Sequence, residues 1–116
     1  NLLTNAIDHA HEKPVDVTIK SNSSALSVSI RDYGIGIDPA QVPRVFDRFW
    51  RADPARARSR GGTGLGLSIA QEDAHLHDGT LKAWGKLNEG AQFILTLPRK
   101  IGWKIEAEPI ELLTTK

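Results

Sequence analysis

Three stretches of this sequence set residues where phosphate and base chemistry would need them. The first is SRGGTGLGLSIA, residues 59–70, with four glycines in six positions behind an arginine. Glycines let backbone N–H groups approach a ligand closely, and a helix starting near Gly64 would offer its free N–H groups to an anion. Two common loops of this kind do not fit. A P-loop requires Lys and then Ser or Thr after its last glycine, and here Leu67 and Ser68 follow Gly66. A Rossmann turn requires a strand directly before its glycines, and Arg58-Ser59-Arg60 is not the sequence of a buried strand. On this stretch alone, a phosphate cradle and a plain hinge with a helix start both stay open.

The second stretch is DYGIGI, residues 32–37. A carboxylate only accepts hydrogen bonds. The exocyclic amine of adenine donates, whereas guanine presents a carbonyl at the same place. A buried Asp32 would therefore favour adenine, and a guanine would cost on the order of 1–3 kcal/mol. Gly34 and Gly36 would let the backbone pass close to the base. In isolation the plainer reading is a turn in which Asp32 satisfies local N–H groups. The third stretch is NLLTN, residues 1–5, where Asn1 and Asn5 stand one helical turn apart. An amide oxygen such as that of Asn5 suits Mg2+, which keeps several waters and nucleotide phosphates in its shell. Two asparagines on a helix are also an ordinary solvated face.

These residues need elements to hold them. Residues 1–12 carry helical periodicity, with Leu3, Ala6, Ile7 and Ala10 on one face and Asn1, Asn5, Asp8 and His9 opposite. Pro14 ends that helix. Val15, Val17 and Ile19 alternate with polar residues, as do Leu26, Val28 and Ile30, which predicts a hairpin around Ser21–Ser24. Asp38-Pro39 reads as an N-cap followed by proline at the first helical position, so a short helix is expected over about 39–46. Residues 51–63 are basic and glycine-containing without apolar periodicity, the composition of a long mobile loop or lid. A helix over 64–77, a turn at Asp78-Gly79, and strands over 80–84 and 91–97 around Asn88-Glu89-Gly90 follow. Hairpins mixed with helices predict an α+β sheet with helices on one face. The tail 99–116 shows little pattern and reads as an extension beyond a domain of residues 1–98.

Composition narrows the classes. The chain has 116 residues, 40% hydrophobic and 25% charged, which suits one soluble globular domain. It has no cysteine, so disulfides, thiolate metal sites and cysteine nucleophiles are excluded. A net charge of +1 argues against a nucleic-acid surface, although Arg48, Arg51, Arg56, Arg58 and Arg60 cluster in the lid. His9 and His11, like His75 and His77, would point about 200° apart on a helix and do not share a metal easily. Trp50 and Trp103 are assigned to packing. A start inside a helix, with no methionine, is read as a piece of a longer protein.

Taken in order, the pieces resemble the catalytic ATP-binding domain of sensor histidine kinases, in the ATPase superfamily that includes gyrase, Hsp90 and MutL. The four boxes are NLLTNAIDHA (1–10), DYGIGID (32–38), VFDRFWR (45–51) and GGTGLGL (61–67), with GAQFILTLP (90–98) similar to the last strand. The FWRADPARARSRGGTGLGLSIA stretch and Trp84-Gly85 look closest to actinobacterial kinases of the MtrB type. The resemblance implies a two-layer α/β sandwich of the Bergerat (GHKL) kind, with a mixed sheet and helices on one face. It implies ATP and Mg2+ as cofactors. Asn5 matches the Mg2+-coordinating asparagine, with Asn1 and His9 near the nucleotide. Asp32 matches the aspartate that reads the adenine amine, with Gly34, Gly36 and Ile37 beside it. Phe46 and Phe49 match the aromatic pair that anchors the lid. Gly62, Thr63, Gly64, Leu65, Gly66 and Leu67 match the loop that closes over the phosphates.

Two positions depart from the pattern. Asn1 stands where hydrolysing relatives place a glutamate that activates water; an amide cannot be that base, which favours phosphotransfer. Asp8 stands where many histidine kinases place a phosphate-binding lysine, so that cationic role falls elsewhere or is absent, with Arg48 and Arg51 as the candidates. The implied partners are a phosphoacceptor-histidine dimerisation domain, absent from these residues, and a response regulator. The parent would be a membrane-anchored homodimer with this domain in the cytoplasm. The rival readings are another ATPase or a serine protein kinase of the superfamily, and a degenerate module that only binds a partner.

Overall fold

A computed structural model describes Leu2, residues 13–47 and residues 66–113. Strands β1 (Val15–Ser21) and β2 (Ala25–Asp32) form the expected hairpin, with Val17 opposite Ile30 and Ile19 opposite Val28. Asn22 makes the turn: its Oδ1 accepts from the N–H groups of Ser24 and Ala25, both at 2.9 Å. After β2 comes a short helix over Pro39–Arg44, capped by Asp38 Oδ1, which accepts from Ala40 N at 3.0 Å. It is a 3-10 helix that stops earlier than the sequence predicts. Pro43 lies inside it, supplies no N–H and disfavours α geometry at Val42, so the chain winds tighter and ends early.

Helix α1 (Gly66–Leu76) ends in a left-handed turn. Asp78 has φ 61°, Asp78 N–H donates to His75 O at 3.1 Å, and Gly79 N–H donates to Ala74 O at 2.8 Å. This is a Schellman stop, which satisfies the last carbonyls of the helix and reverses the chain into the sheet. Strands β3 (Thr80–Lys86) and β4 (Gly90–Pro98) form the second hairpin.

The sheet order is β1-β2-β4-β3 and every pairing is antiparallel. The resemblance implied a mixed sheet. Strands β2 and β3 do run the same way, but β4 inserts between them, so no parallel pair forms among the described residues. The α+β class stands, and the described helices lie on one face. On that face Ile30, Phe93 and Ala83 share a row, and Val28, Leu95 and Leu81 share the next. Phe93, Leu81 and Ala91 meet Ile37, Val45 and Ala74 in the core, with Leu2, Val42, Leu67 and Ala70 packed against them. The core thins toward β1, where Val17 and Ile19 are 52% and 64% exposed.

The other face sets polar residues around Ile94 and Trp84, yet it too is covered. Ser27 and Thr96 are both 0% exposed and share a hydrogen bond of 2.7 Å between their hydroxyls. Gln92 Nε2 donates to Ser29 Oγ at 2.9 Å. Residues 99–113 lie crosswise over this face without forming a helix or strand. Asn22 Nδ2 donates to Ala107 O at 2.7 Å, and Thr80 Oγ1 to Glu108 Oε1 at 2.8 Å. Lys82 Nζ reaches Glu108 Oε2 at 2.6 Å, and Leu113 N–H donates to Gln92 Oε1 at 2.9 Å. Packing therefore continues past Pro98, the boundary expected from the sequence.

Candidate functional site

The sheet alternation puts Asp32 on the helix-covered face, in a row with Ala91 and Gly85 at the end of the central strands. Its side chain is 2% exposed, and Oδ1 accepts from Gly34 N–H at 3.0 Å. Ile30, on the same face of β2, and Ile37, in the loop that follows, are each 7% exposed. A buried carboxylate at a strand end, held by its own loop, is an acceptor whose direction is fixed before any ligand arrives.

The loop after Asp32 docks against the β3–β4 turn. Asn88 N–H donates to Ile35 O at 2.8 Å. Gly36 has φ +77°, and the place of its absent Cβ is taken by the carbonyl of Lys86. Gly90, with φ +100°, lies in the same way against the carbonyl of Asp32. These glycines let two backbones meet where any side chain would hold them apart. The sequence reading gave Gly34 and Gly36 a close approach to a base. In the structure Gly36 lies against the β3–β4 hairpin behind it.

The reverse side of the same strand end carries a basic and aromatic cluster. Arg31 pairs with Gln92, which pairs with Trp84, all on the outer face. The Arg31 guanidinium lies 4.4 Å from the Tyr33 ring centroid and 4.8 Å from that of Trp84. Its Nε donates to Asp32 O at 3.1 Å and its Nη2 to Glu89 O at 3.0 Å. Tyr33 Oη donates to Asp16 Oδ2 at 2.7 Å. That bond first, then burial and the Asp16 charge, push the Tyr33 hydroxyl above its ordinary value against the pull of Arg31. The sequence reading missed this cluster. Arg31 looked like one more outward polar residue of an alternating strand, and only its position opposite Gln92 and Trp84 sets it apart.

Of the expected site residues, Asp32, Gly34, Gly36 and Ile37 come together here. Phe46 lies in the core, edge-on to Phe93 with ring centroids 6.2 Å apart and planes at 78°. Gly66 opens helix α1 and Leu67 packs against the core. Asn1, Asn5, His9, Arg48, Phe49, Arg51, Gly62, Thr63, Gly64 and Leu65 lie outside the described residues, as do Asp8 and the rest of the lid. Among the described residues, no group of three or more His, Asp and Glu is placed to hold a metal ion. No described helix is long and apolar enough to cross a membrane.

The pattern of the family described as "Histidine kinase-, DNA gyrase B-, and HSP90-like ATPase" matches residues 1–101. The chain is 51% identical over 112 residues to the sensor histidine kinase MtrB of Mycobacterium tuberculosis, covering 97% of this chain and 20% of that protein. It is 41% identical over 102 residues to the sensor-like histidine kinase SenX3 of the same species, covering 87% and 25%. The chain thus spans about a fifth of the length of the MtrB proteins it matches. Among solved structures, it aligns with a mycobacterial sensor histidine kinase, MprB, at a TM-score of 0.70 and 27% identity, over 89% of this chain and 66% of that one. It aligns equally, at 0.70 and 24% identity, with full-length ShkA in complex with AMPPNP, over 94% of this chain and 21% of that one. The second of these likenesses shows the fold.

Proposed function

Since the chain belongs to the histidine kinase-, DNA gyrase B- and HSP90-like ATPase family, closely related to the MtrB-type sensor kinases, we propose that it binds Mg·ATP through Asp32 for transfer to a histidine of another domain. The buried Asp32 carboxylate carries this reading. It is an acceptor on the helix-covered face, preset by Gly34 N–H. That acceptor fits the exocyclic amine of adenine, which donates, and opposes the carbonyl of guanine.

ATP, when bound, supplies the phosphoryl group, and Mg2+ held by Asn5 neutralises its charge. The chain contributes position and electrostatics. Asp32 orients the base, the Gly34–Ile37 loop shapes its pocket, and Ile37 excludes water from it. Phe46, with Phe49, roots the lid. Glycines 62, 64 and 66, with Thr63, Leu65 and Leu67 between and after them, offer backbone N–H groups to the phosphates. Asn1 and His9 lie beside the nucleotide in this reading. Arg48 and Arg51 bring the cationic charge that Asp8 cannot. No covalent step on this chain is needed; holding donor and acceptor in line and neutralising charge is the catalysis. The phosphoacceptor histidine belongs to a dimerisation domain, the next acceptor is an aspartate of a response regulator, and the parent is a membrane-anchored homodimer.

The test is a calorimetric titration of Mg·ATP and Mg·GTP against the intact protein and D32N. Loss of a charged hydrogen bond of about 1.5–3 kcal/mol predicts affinity for ATP lower by on the order of tenfold to a hundredfold. An unchanged ATP affinity in a folded D32N protein sinks the adenine assignment.

A further inference from the structure

We infer that Arg31 is a positioning residue for adenine recognition, acting from the opposite face of the sheet through the backbone of Asp32. This rests on the assignment of Asp32 proposed above. The inference starts from what the guanidinium joins. Nε holds the carbonyl of Asp32 at 3.1 Å, and Nη2 holds the carbonyl of Glu89, in the β3–β4 turn, at 3.0 Å. The two carbonyls belong to the two pieces of chain that clamp the Asp32 loop. One ends β2, and the other follows Asn88, whose N–H bonds Ile35. A planar fork with donors on separate edges can bridge two fixed carbonyls; the point charge of a lysine cannot do so with the same geometry.

The fork is itself held. It lies over the Tyr33 and Trp84 rings at 4.4 and 4.8 Å, within the range of cation–π attraction. Tyr33 is tied to β1 through Asp16 at 2.7 Å, and Trp84 is 9% exposed. Arg31 therefore links β1, the end of β2, β3 and the β3–β4 turn through one side chain. The side chains of Asp32 and Arg31 point to opposite faces, so Arg31 touches no bound base. What it governs is the angle at which the Asp32 peptide leaves the strand, and so where the carboxylate points.

The experiment is a double-mutant cycle in the intact protein, with R31M, D32N and the double variant titrated with Mg·ATP and Mg·GTP, and R31K in parallel. R31M is expected to weaken ATP binding about five- to tenfold, in the range found for coupled neighbours. R31K, which retains the charge and the stem but not the fork, is expected to fall with R31M, and it carries the test if R31M does not fold. In the D32N background the same change should cost less than about twofold, because the carboxylate it positions is gone. A merely structural role would give equal losses in both backgrounds, which overturns the inference. So does wild-type affinity in R31M or R31K. If D32N itself binds ATP normally, the adenine assignment fails and Arg31 has nothing to position. If only the Arg31 variants bind normally, the assignment stands and this inference alone falls.

Discussion

Gly36 and Gly102 have nearly the same backbone, with φ of 77° and 82°, and opposite surroundings. A Cβ at Gly102 meets nothing within 4 Å, whereas one at Gly36 would stand 2.0 Å from the Lys86 carbonyl oxygen. Comparing G36A with G102A therefore cancels the conformational cost and isolates the contact. That shared cost is roughly 1–2 kcal/mol for a left-handed L-residue, offset by about 0.4–1 kcal/mol from the stiffer unfolded chain. Ordinary contact begins at 3.4 Å, so in G36A the Lys86–Gly90 turn must retreat by about 1.4 Å. The Asn88–Ile35 bond of 2.8 Å does not survive that movement. Its loss costs about 0.5–1.5 kcal/mol, and forcing a methyl into a filled site costs about 1–3 kcal/mol. G36A should thus lose roughly 2–4 kcal/mol more than G102A. At about 4–8 °C per kcal/mol for a chain of this size, their melting temperatures should differ by on the order of 10–25 °C. Thermal melts followed by circular dichroism read this directly. Melting within about 5 °C of each other would refute the claim that the loop and the turn are locked at Gly36.

Two further outcomes concern the outer face. Burial raises the Glu108 carboxyl, but the hydrogen bonds from Lys82 and Thr80 and the Lys82 charge outweigh it and hold the group below its ordinary range. A carboxyl lowered on folding contributes stability that is complete above its unfolded value, about 4.3, and is lost as pH falls through the lowered folded value. The parent should therefore be more stable than E108Q at neutral pH, and melts taken toward pH 3 should converge; a gap that persists in acid contradicts the ion-pair account. At the Ser27–Thr96 pair, S27A should cost about 1–3 kcal/mol in urea unfolding by stranding a buried hydroxyl. S27A/T96V should recover much of that loss, and equal losses would show that the hydrogen bond is not what the site protects.

The inner layer was legible because each residue there has one job. Val17, Val28 and Ile30 alternate with polar neighbours, and alternation is what a strand with one buried face must show. DYGIGI took its meaning only from its place among the other boxes: alone it reads as a turn in which Asp32 accepts from local N–H groups, and Gly34 N–H does donate to it. The outer layer was not. Ser27, Ser29, Gln92 and Thr96 have the composition of a solvated face, and nothing in their spacing says that residues 99–113 will cover them. The tail carries no apolar period because it attaches through its own backbone at Glu106, Ala107 and Leu113, and backbone groups have no sequence signature. Pro43 was visible, yet its effect depends on how far the preceding turn would otherwise extend. Arg31 needed the register: only when Asp32 is known to face Ala91 does its neighbour fall opposite Gln92 and Trp84.

The crosswise tail also acts as a ruler. A hairpin ladder can slide by one residue and keep most of its hydrogen bonds, while every side chain changes face. Here a slip of β3 against β4 would turn Thr80 and Lys82 toward the helices and carry both away from Glu108, which grips them together. The same slip would push Leu81 and Ala83 out under the tail. Residues far along the chain thus check an alignment that the turn at Asn88 sets locally. Residues 99–113, although they form no helix or strand, discriminate the correct pairing from its nearest error.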